Sequence, residues 1–224
     1  MDPVTPFDHA AEDAIRSLLA AERPNDAILG EEGGGGGWDT GRVWIVDPLD
    51  GTVNFVHGIP QVAVSVALWE DGQPVVGVVH DAIHGEAFTA VAGRGAKVDG
   101  STIEVSKEDD LGQGLVATGF PYDRRLRAVE LAEVLGRVLA EVQGIRRIGS
   151  AALDLCWVAA GRYEAYWEYR LQPWDTAAGQ LIVEEAGGRV TDLAGERYRP
   201  DAPAIIASNA KVHDRLTAIL DGGR

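Results

Sequence analysis

The apolar run Val43-Trp44-Ile45-Val46 leads directly into Asp47-Pro48-Leu49-Asp50-Gly51-Thr52-Val53-Asn54-Phe55-Val56-His57-Gly58. No other segment restricts so sharply what the chain can fold into. A short run rich in Val and Ile reads as a buried strand. Proline cannot donate to a ladder and favours a turn, so the strand is predicted to end at Asp47. Two carboxylates three positions apart then stand at the mouth of a strand. A glycine and a threonine follow, and Val53 to His57 is predicted to form a helical turn. Carboxylates beside exposed backbone amides suit hard cations and an anion held side by side. Taken alone, Asp-Gly-Thr also reads as a turn and a helix cap, because carboxylates favour helix N-termini. The longer run is rarer, and it has distant companions.

Those companions are Val4-Thr5-Pro6-Phe7-Asp8 and Gly30-Glu31-Glu32 upstream, and Gly149-Ser150-Ala151-Ala152-Leu153, Ala165-Tyr166-Trp167-Glu168 and Pro173-Trp174-Asp175 downstream. In this order, over nearly the whole chain, the segments resemble the inositol monophosphatase family of magnesium-dependent, often lithium-sensitive sugar and polyol phosphatases. Val4 to Asp8 looks like the family's Val-Thr-x-x-Asp element, Glu31 like part of its Gly-Glu-Glu element, and Asp47 to Asn54 like its Asp-Pro-x-Asp-Gly-Thr-x-Asn signature. The resemblance implies the layered αβαβα sandwich of the sugar-phosphatase fold, with the active site between the halves. It also implies a long helix ahead of Val4 that has no counterpart here. The chain therefore reads as a shortened member, or as one whose start codon is placed late.

By that resemblance, Glu31 and Asp47, with the Leu49 carbonyl, hold a first Mg²⁺. Asp47, Asp50 and Asp175 hold a second, and Glu31 helps to hold a third, weaker ion. Oxygen-only ligands favour Mg²⁺, and nothing in the sequence offers the thiolate or histidine set of a structural zinc. Asp8 and Thr52 look like the pair that orients and deprotonates the attacking water. A threonine hydroxyl can accept from water while donating to a carboxylate. The backbone N–H groups of Gly51 and Thr52, at a helix start, are expected to bind the phosphate. Gly149, Ser150, Ala151 and Glu168 match positions that touch ring hydroxyls, and a carboxylate at 168 suits two vicinal donors.

Other readings stand beside these. Asp8 also reads as a cap of the first helix, and Asp175 as a cap compatible with metal binding. Glu32 reads as a surface or supporting acid, His57 and His80 as structural residues, Arg170 as a solvated arginine, and Cys156 as a small core residue. The function implied is a phosphomonoesterase acting on a polyol phosphate, with myo-inositol 1-phosphate the leading substrate. Histidinol phosphate, fructose 1,6-bisphosphate and a nucleotide 3′-phosphate are alternatives within the class. Related histidinol phosphatases generally differ in the Gly-Ser-Ala-Ala and Tyr-Trp-Glu segments. From another class comes a shortened, non-catalytic regulatory homologue that binds a partner protein.

The chain has 224 residues, 46 % of them apolar, enough for a sizeable core. Its net charge of −15 disfavours nucleic acid and anionic membrane as partners, and the resemblance implies a small phosphate ester instead. One cysteine excludes an internal disulfide. With no membrane-spanning run and no signal-peptide core, a cytoplasmic protein is expected, and the resemblance implies a homodimer. Helices are predicted over Asp8 to Glu22, Arg125 to Gln143, Ala151 to Ala160, Trp174 to Ala186 and Val212 to Leu220. Strands are predicted at 27–29, 62–69 and 75–79, in hairpin material through 105, and at 115–117, 163–167 and 205–207. Gly33 to Gly37, five glycines in succession, reads as a flexible linker or a mobile loop beside Glu31. The alternation supports α+β or α/β, in an N-terminal half of 1–112 and a C-terminal half of 113–224.

Overall fold

The computed structural model describes residues 4–222; the outermost ends of the two expected halves, 1–3 and 223–224, lie outside it. Helix α1 (Pro6–Glu22) opens on a Thr5 cap and stops at Arg23, whose backbone is restricted by the proline that follows. Then come β1 (Ala27–Gly30), β2 (Arg42–Asp50), the short α2 (Thr52–Val56), and the strands β3 (Ala63–Glu70), β4 (Gln73–Asp81), β5 (Ala87–Val91), β6 (Ala96–Val98) and β7 (Ser101–Ile103). They form a seven-stranded sheet in chain order. β1 is parallel to β2, and every later pair is antiparallel.

The rest of the chain supplies β8 (Leu115–Thr118), α3 (Ala128–Leu139), β9 (Gly144–Arg146), α4 (Ala151–Ala159), β10 (Ala165–Tyr169), α5 (Pro173–Glu185), β11 (Arg189–Thr191), β12 (Ala204–Ser208) and α6 (His213–Leu220). Its sheet has five strands in the order β11-β12-β10-β8-β9. α1 lies against β2, α4 and α5 fill the space between the sheets, and α3 and α6 cover the far face. The layers therefore run α, β, α, β, α, as the resemblance implies. Among the described residues no helix is long and apolar enough to cross a membrane.

The two-residue period of a strand sorts its side chains between the layers. Val43, Ile45, Trp69 and Phe88 of the first sheet meet Leu153, Leu155, Leu181 and Ile182 of α4 and α5 in one core. In the second sheet Trp167 and Ile206 face α3 and α6, while Tyr166 and Ile205 face the central helices. Burial on both faces explains why β12 reads as an unbroken apolar run. Gly77 allows α5 to lie directly on β4: a Cβ there would stand 2.7 Å from the Ala178 carbonyl oxygen.

Four expectations need correction. β2 does not stop at Asp47 but continues through Pro48 to Asp50 across a register shift. β1 ends opposite Val46, so on that side no ladder bond is lost to the proline. α3 begins only at Ala128, because turns at Pro121 to Arg127 precede it, and it yields to β9, which the sequence reading omitted. β10 lies two residues later than expected and so includes Glu168. The glycine run is not a plain linker at its start. Gly33 N donates to Glu12 Oε1 at 2.8 Å, and Gly34 O accepts from Arg16 Nη2 at 2.6 Å. Trp38 anchors the other end in the core, edge-on to Trp69.

Candidate active site

Asp47 follows Val43 and Ile45 on the inner face of β2, so strand period alone aims it between the layers. Its Oδ1 accepts from Leu49 N at 2.9 Å. The bulge turns Asp50 towards α4, where its Oδ2 accepts from Ser150 Oγ at 2.5 Å and from Ala152 N at 2.8 Å. Asp175 stands in the first turn of α5 and accepts from Gln172 N at 2.6 Å, closing a capping box. Glu31 directly follows β1, and its N–H donates to Val46 O. These residues line one cavity of about 380 Å³ together with Leu49, Gly51, Thr52, Gly149, Ala151 and Glu168.

The electrostatics show how close the acids stand. Burial pushes the Asp47 carboxyl well up, and the charges of Asp50, Glu31 and Asp175 add to the effect against the Leu49 N–H. Burial raises Asp50 to about 6, although Ser150 and the N–H groups of Ala152, Ala151 and Gly51 oppose the rise. Asp175 is raised by burial and by Asp50, with Glu31 and Glu168 contributing. Such a set is uncomfortable when fully ionised and is relieved by a cation, and its donors are all oxygen. It fits a hard divalent ion such as Mg²⁺. Among the described residues, however, no three of these groups close into a ready-made ligand cluster. The aspartates are turned towards N–H and O–H donors of the protein.

Asp8 caps α1 and also reaches Thr52. Its Oδ2 accepts from Thr5 N at 2.8 Å and from Thr5 Oγ1 at 2.5 Å, capping α1. Its Oδ1 lies 3.0 Å from Thr52 Oγ1, which is also 2.9 Å from Leu49 O. The hydroxyl has one proton and donates to one of these acceptors at a time. Thr52 lines the cavity, whereas Asp8 is buried behind it and reaches the cavity only through Thr52. Gly51, at φ 92°, caps α2 in the left-handed region; a Cβ there would stand 2.7 Å from Gln61 O.

On the opposite wall the expected substrate set divides. Gly149 and Ala151 line the cavity, but Ser150 does not. Its hydroxyl is buried, holds Asp50 and caps α4 by accepting from Leu153 N, so it supports a carboxylate. Glu168 shares its strand face with Tyr166, whose OH donates to Glu168 Oε2 at 2.6 Å. Burial raises Glu168 to about 7, opposed by the Tyr166 hydroxyl and by the charge of Arg147. Gly119 leaves the room that this carboxylate occupies.

Arg170 borders the cavity but is largely exposed and paired with Asp123, in keeping with a solvated residue. Glu32 is partly exposed and lies 3.8 Å from His9. His57 and His80 are exposed and lie outside the cavity, and Cys156 is fully buried in the core. The sequence reading missed Arg147, Tyr166, Gly119 and Asn54. Arg147 lines the cavity over the Phe120 ring. Asn54 Nδ2 is within bonding reach of the carbonyls of Gln61, Ile148 and Gly149. Two of the missed residues carried a usable signal: Asn54 closes the signature run, and Tyr166 stands two residues before Glu168 on a strand.

Comparison with known proteins gives the same picture over the full length. A model described as the inositol monophosphatase family matches residues 1–222. The Nus factor SuhB of Pseudomonas aeruginosa is 44 % identical over 96 % of this chain and 81 % of its own. The inositol-1-monophosphatase of Mycobacterium leprae is 45 % identical over 98 % and 78 %. The solved inositol monophosphatase of Anabaena superposes with a TM-score of 0.90 at 40 % identity, covering 96 % of this chain and 86 % of that one. The chain belongs to the inositol monophosphatase family.

Proposed function

We propose that the protein is a Mg²⁺-dependent phosphomonoesterase that hydrolyses a polyol phosphate, with myo-inositol 1-phosphate as its preferred substrate. The observation that carries this reading is the convergence of Glu31, Asp47, Asp50 and Asp175 on one cavity that also presents Thr52, with burial raising the three aspartates and neighbouring acids adding to the rise of Asp47 and Asp175. Glu31, Asp47, Asp50, Asp175 and the Leu49 carbonyl would hold two to three Mg²⁺ ions. When bound, these ions supply water activation and screening of phosphoryl charge. Thr52 orients the attacking water by accepting from it while donating to Asp8, so that as the water gives up its proton the Thr52 proton passes to the Asp8 carboxylate. The N–H groups of Gly51 and Thr52 hold the phosphate. Glu168 accepts ring hydroxyls with the lone pairs that Tyr166 leaves free, while Gly149 and Ala151 complete the wall.

Relatives named Nus factors suggest a second reading, in which the chain regulates a partner without turnover. The complete carboxylate set favours catalysis. One experiment separates the readings: release of phosphate from inositol 1-phosphate, histidinol phosphate, fructose 1,6-bisphosphate and a nucleotide 3′-phosphate, with Mg²⁺ and with chelator. Mg²⁺-dependent turnover led by inositol 1-phosphate is the expected result. Absence of turnover on the whole panel would favour the regulatory reading. A lead for histidinol phosphate would replace the substrate and leave the chemistry standing.

A further inference from the structure

Helix α1 carries three ionic side chains one turn apart, Asp8, Glu12 and Arg16, which therefore share a face. Asp8 reaches Thr52. Glu12, which the sequence reading passed over, reaches the other strand mouth. It is 1 % exposed, and its two oxygens accept from the backbone N–H groups of Glu32 and Gly33, each at 2.8 Å. Arg16 closes the arrangement, donating to Glu12 Oε1 and to Gly34 O, each at 2.6 Å. The turn that bears Glu31 is thus held on its far side by a carboxylate and a guanidinium from one helix.

The fit depends on two glycines. A Cβ at Gly30 would stand 2.3 Å from Glu12 Oε1, and one at Gly33 would stand 2.7 Å from the same atom. Gly30 N also donates to Gly34 O at 3.1 Å, which closes the loop on itself. Glu12 does not line the cavity, so its effect there must pass through the backbone of 30–34.

We propose that Glu12 is a positioning residue for Glu31: with Arg16 it clamps the Gly30–Gly34 turn and so fixes where the Glu31 carboxylate stands relative to Asp47. The proposal rests on the reading of Glu31 as a metal ligand. Its physical content is preorganisation. A ligand on a glycine-rich loop that is already ordered loses less conformational freedom when a cation binds. α1 thereby registers two separate segments of the site, Thr52 through Asp8 and Glu31 through Glu12, with two carboxylates four residues apart.

Glu12→Gln keeps the shape but replaces one acceptor oxygen with an amide nitrogen that cannot accept, and it removes the charge that pairs with Arg16. Metal affinity is read by calorimetric Mg²⁺ titration, and loop order by amide exchange in chelator. Partners behind a metal ligand typically tune affinity by 10–100-fold, so the Mg²⁺ dissociation constant is expected to rise by at least about tenfold. The Glu32 and Gly33 amides should exchange about tenfold faster or more, while kcat at saturating Mg²⁺ is largely kept. Glu185→Gln is the matched control, because Glu185 clamps Gly93 N and Gly95 N in the same way on a distant loop. It should lower thermal stability comparably and leave the Mg²⁺ constant unchanged. If Glu12→Gln fails to fold, Gly33→Ala disturbs the same contact from the loop side and should weaken Mg²⁺ binding alike. A wild-type protein that binds Mg²⁺ with a folded clamp variant that binds it equally well overturns the positioning role alone. An equal loss in Glu185→Gln does the same. A wild-type protein that binds no Mg²⁺ overturns the metal site as well.

Discussion

Gly119 marks the place where the substrate wall has least slack. A Cβ added there would stand 1.9 Å from Glu168 Oε2 and 2.2 Å from its Cδ. Carbon–oxygen contacts settle at about 3.3–3.6 Å, so in Gly119→Ala the carboxylate must retreat by roughly 1.5 Å. It cannot do so freely, being 8 % exposed and held by the Tyr166 hydroxyl at 2.6 Å. Breaking a hydrogen bond to a charged group costs about 1.5–3 kcal/mol. At about 2–4 °C per kcal/mol for a chain of this size, Tm should fall by about 3–12 °C with the fold retained. Catalysis should suffer more selectively. A misplacement of about 1 Å can cost about 10²-fold, so kcat/KM for myo-inositol 1-phosphate should drop by about that factor. For p-nitrophenyl phosphate, which offers no ring hydroxyls to Glu168, the drop should stay within about threefold. Circular dichroism and gel filtration establish folding, and phosphate release on the two esters gives the ratio. A folded Gly119→Ala protein with the wild-type ratio would refute Glu168 as the hydroxyl acceptor.

Three further outcomes are expected. Asp175→Asn removes a charge from a repelling set while keeping its volume, so turnover should vanish while stability in chelator holds or rises; full activity in the variant would end the metal-site reading. Thr52→Ala should lower kcat by about 10²–10⁴-fold with little change in KM, and an unchanged kcat would reduce Asp8 to a helix cap. Asp50 ionises at about 6 when folded, and Asp47 and Asp175 are also raised. The folded protein thus holds protons that an unfolded carboxylate has lost by about pH 4–5. In chelator, stability should therefore fall as pH rises from about 4 to 7. Mg²⁺ takes the place of those protons, so its gain in Tm should grow over the same interval; a gain independent of pH in thermal scans would contradict this.

The legible part of the site was the local part. Asp47, Asp50 and Thr52 sit in one run, in which the strand fixes Asp47 through a period of two and the bulge and α2 place the other two. The resemblance pointed to Glu31 and Asp175, which line the same cavity because each directly follows or opens a regular element. What stayed hidden depends on distance along the chain. Glu12 meets residues twenty or more positions away, and Asn54 meets Ile148 ninety-four positions away. No pattern in a single sequence encodes such pairings. Ser150 shows the same limit: the resemblance implies a ligand contact, and nothing in the sequence says that the helix it caps aims the hydroxyl at Asp50. Pro48 misled because a proline ends a strand only where a ladder bond would be lost.

The central helix α5 has a bearing on how the protein is made. β7, the last strand of the first sheet, ends at Ile103, whereas α5, which covers that sheet's inner face, is complete only at Glu185. Consecutive antiparallel pairing lets β2 to β7 assemble from near neighbours, so this sheet can form early. At about 5–20 residues per second, the ribosome needs roughly 4–16 s to deliver the remaining eighty or so residues. For the first part of that interval, until α4 is made, Val43, Ile45, Trp69 and Phe88 have no helix over them, and α4 alone leaves most of the face to α5. The nascent chain thus passes through a stage with an exposed apolar face and an open sheet edge, the surface that chaperones bind and that aggregation recruits. The helix that ends this exposure is the one that brings in Asp175, so covering the sheet and completing the acidic cavity are a single event in synthesis.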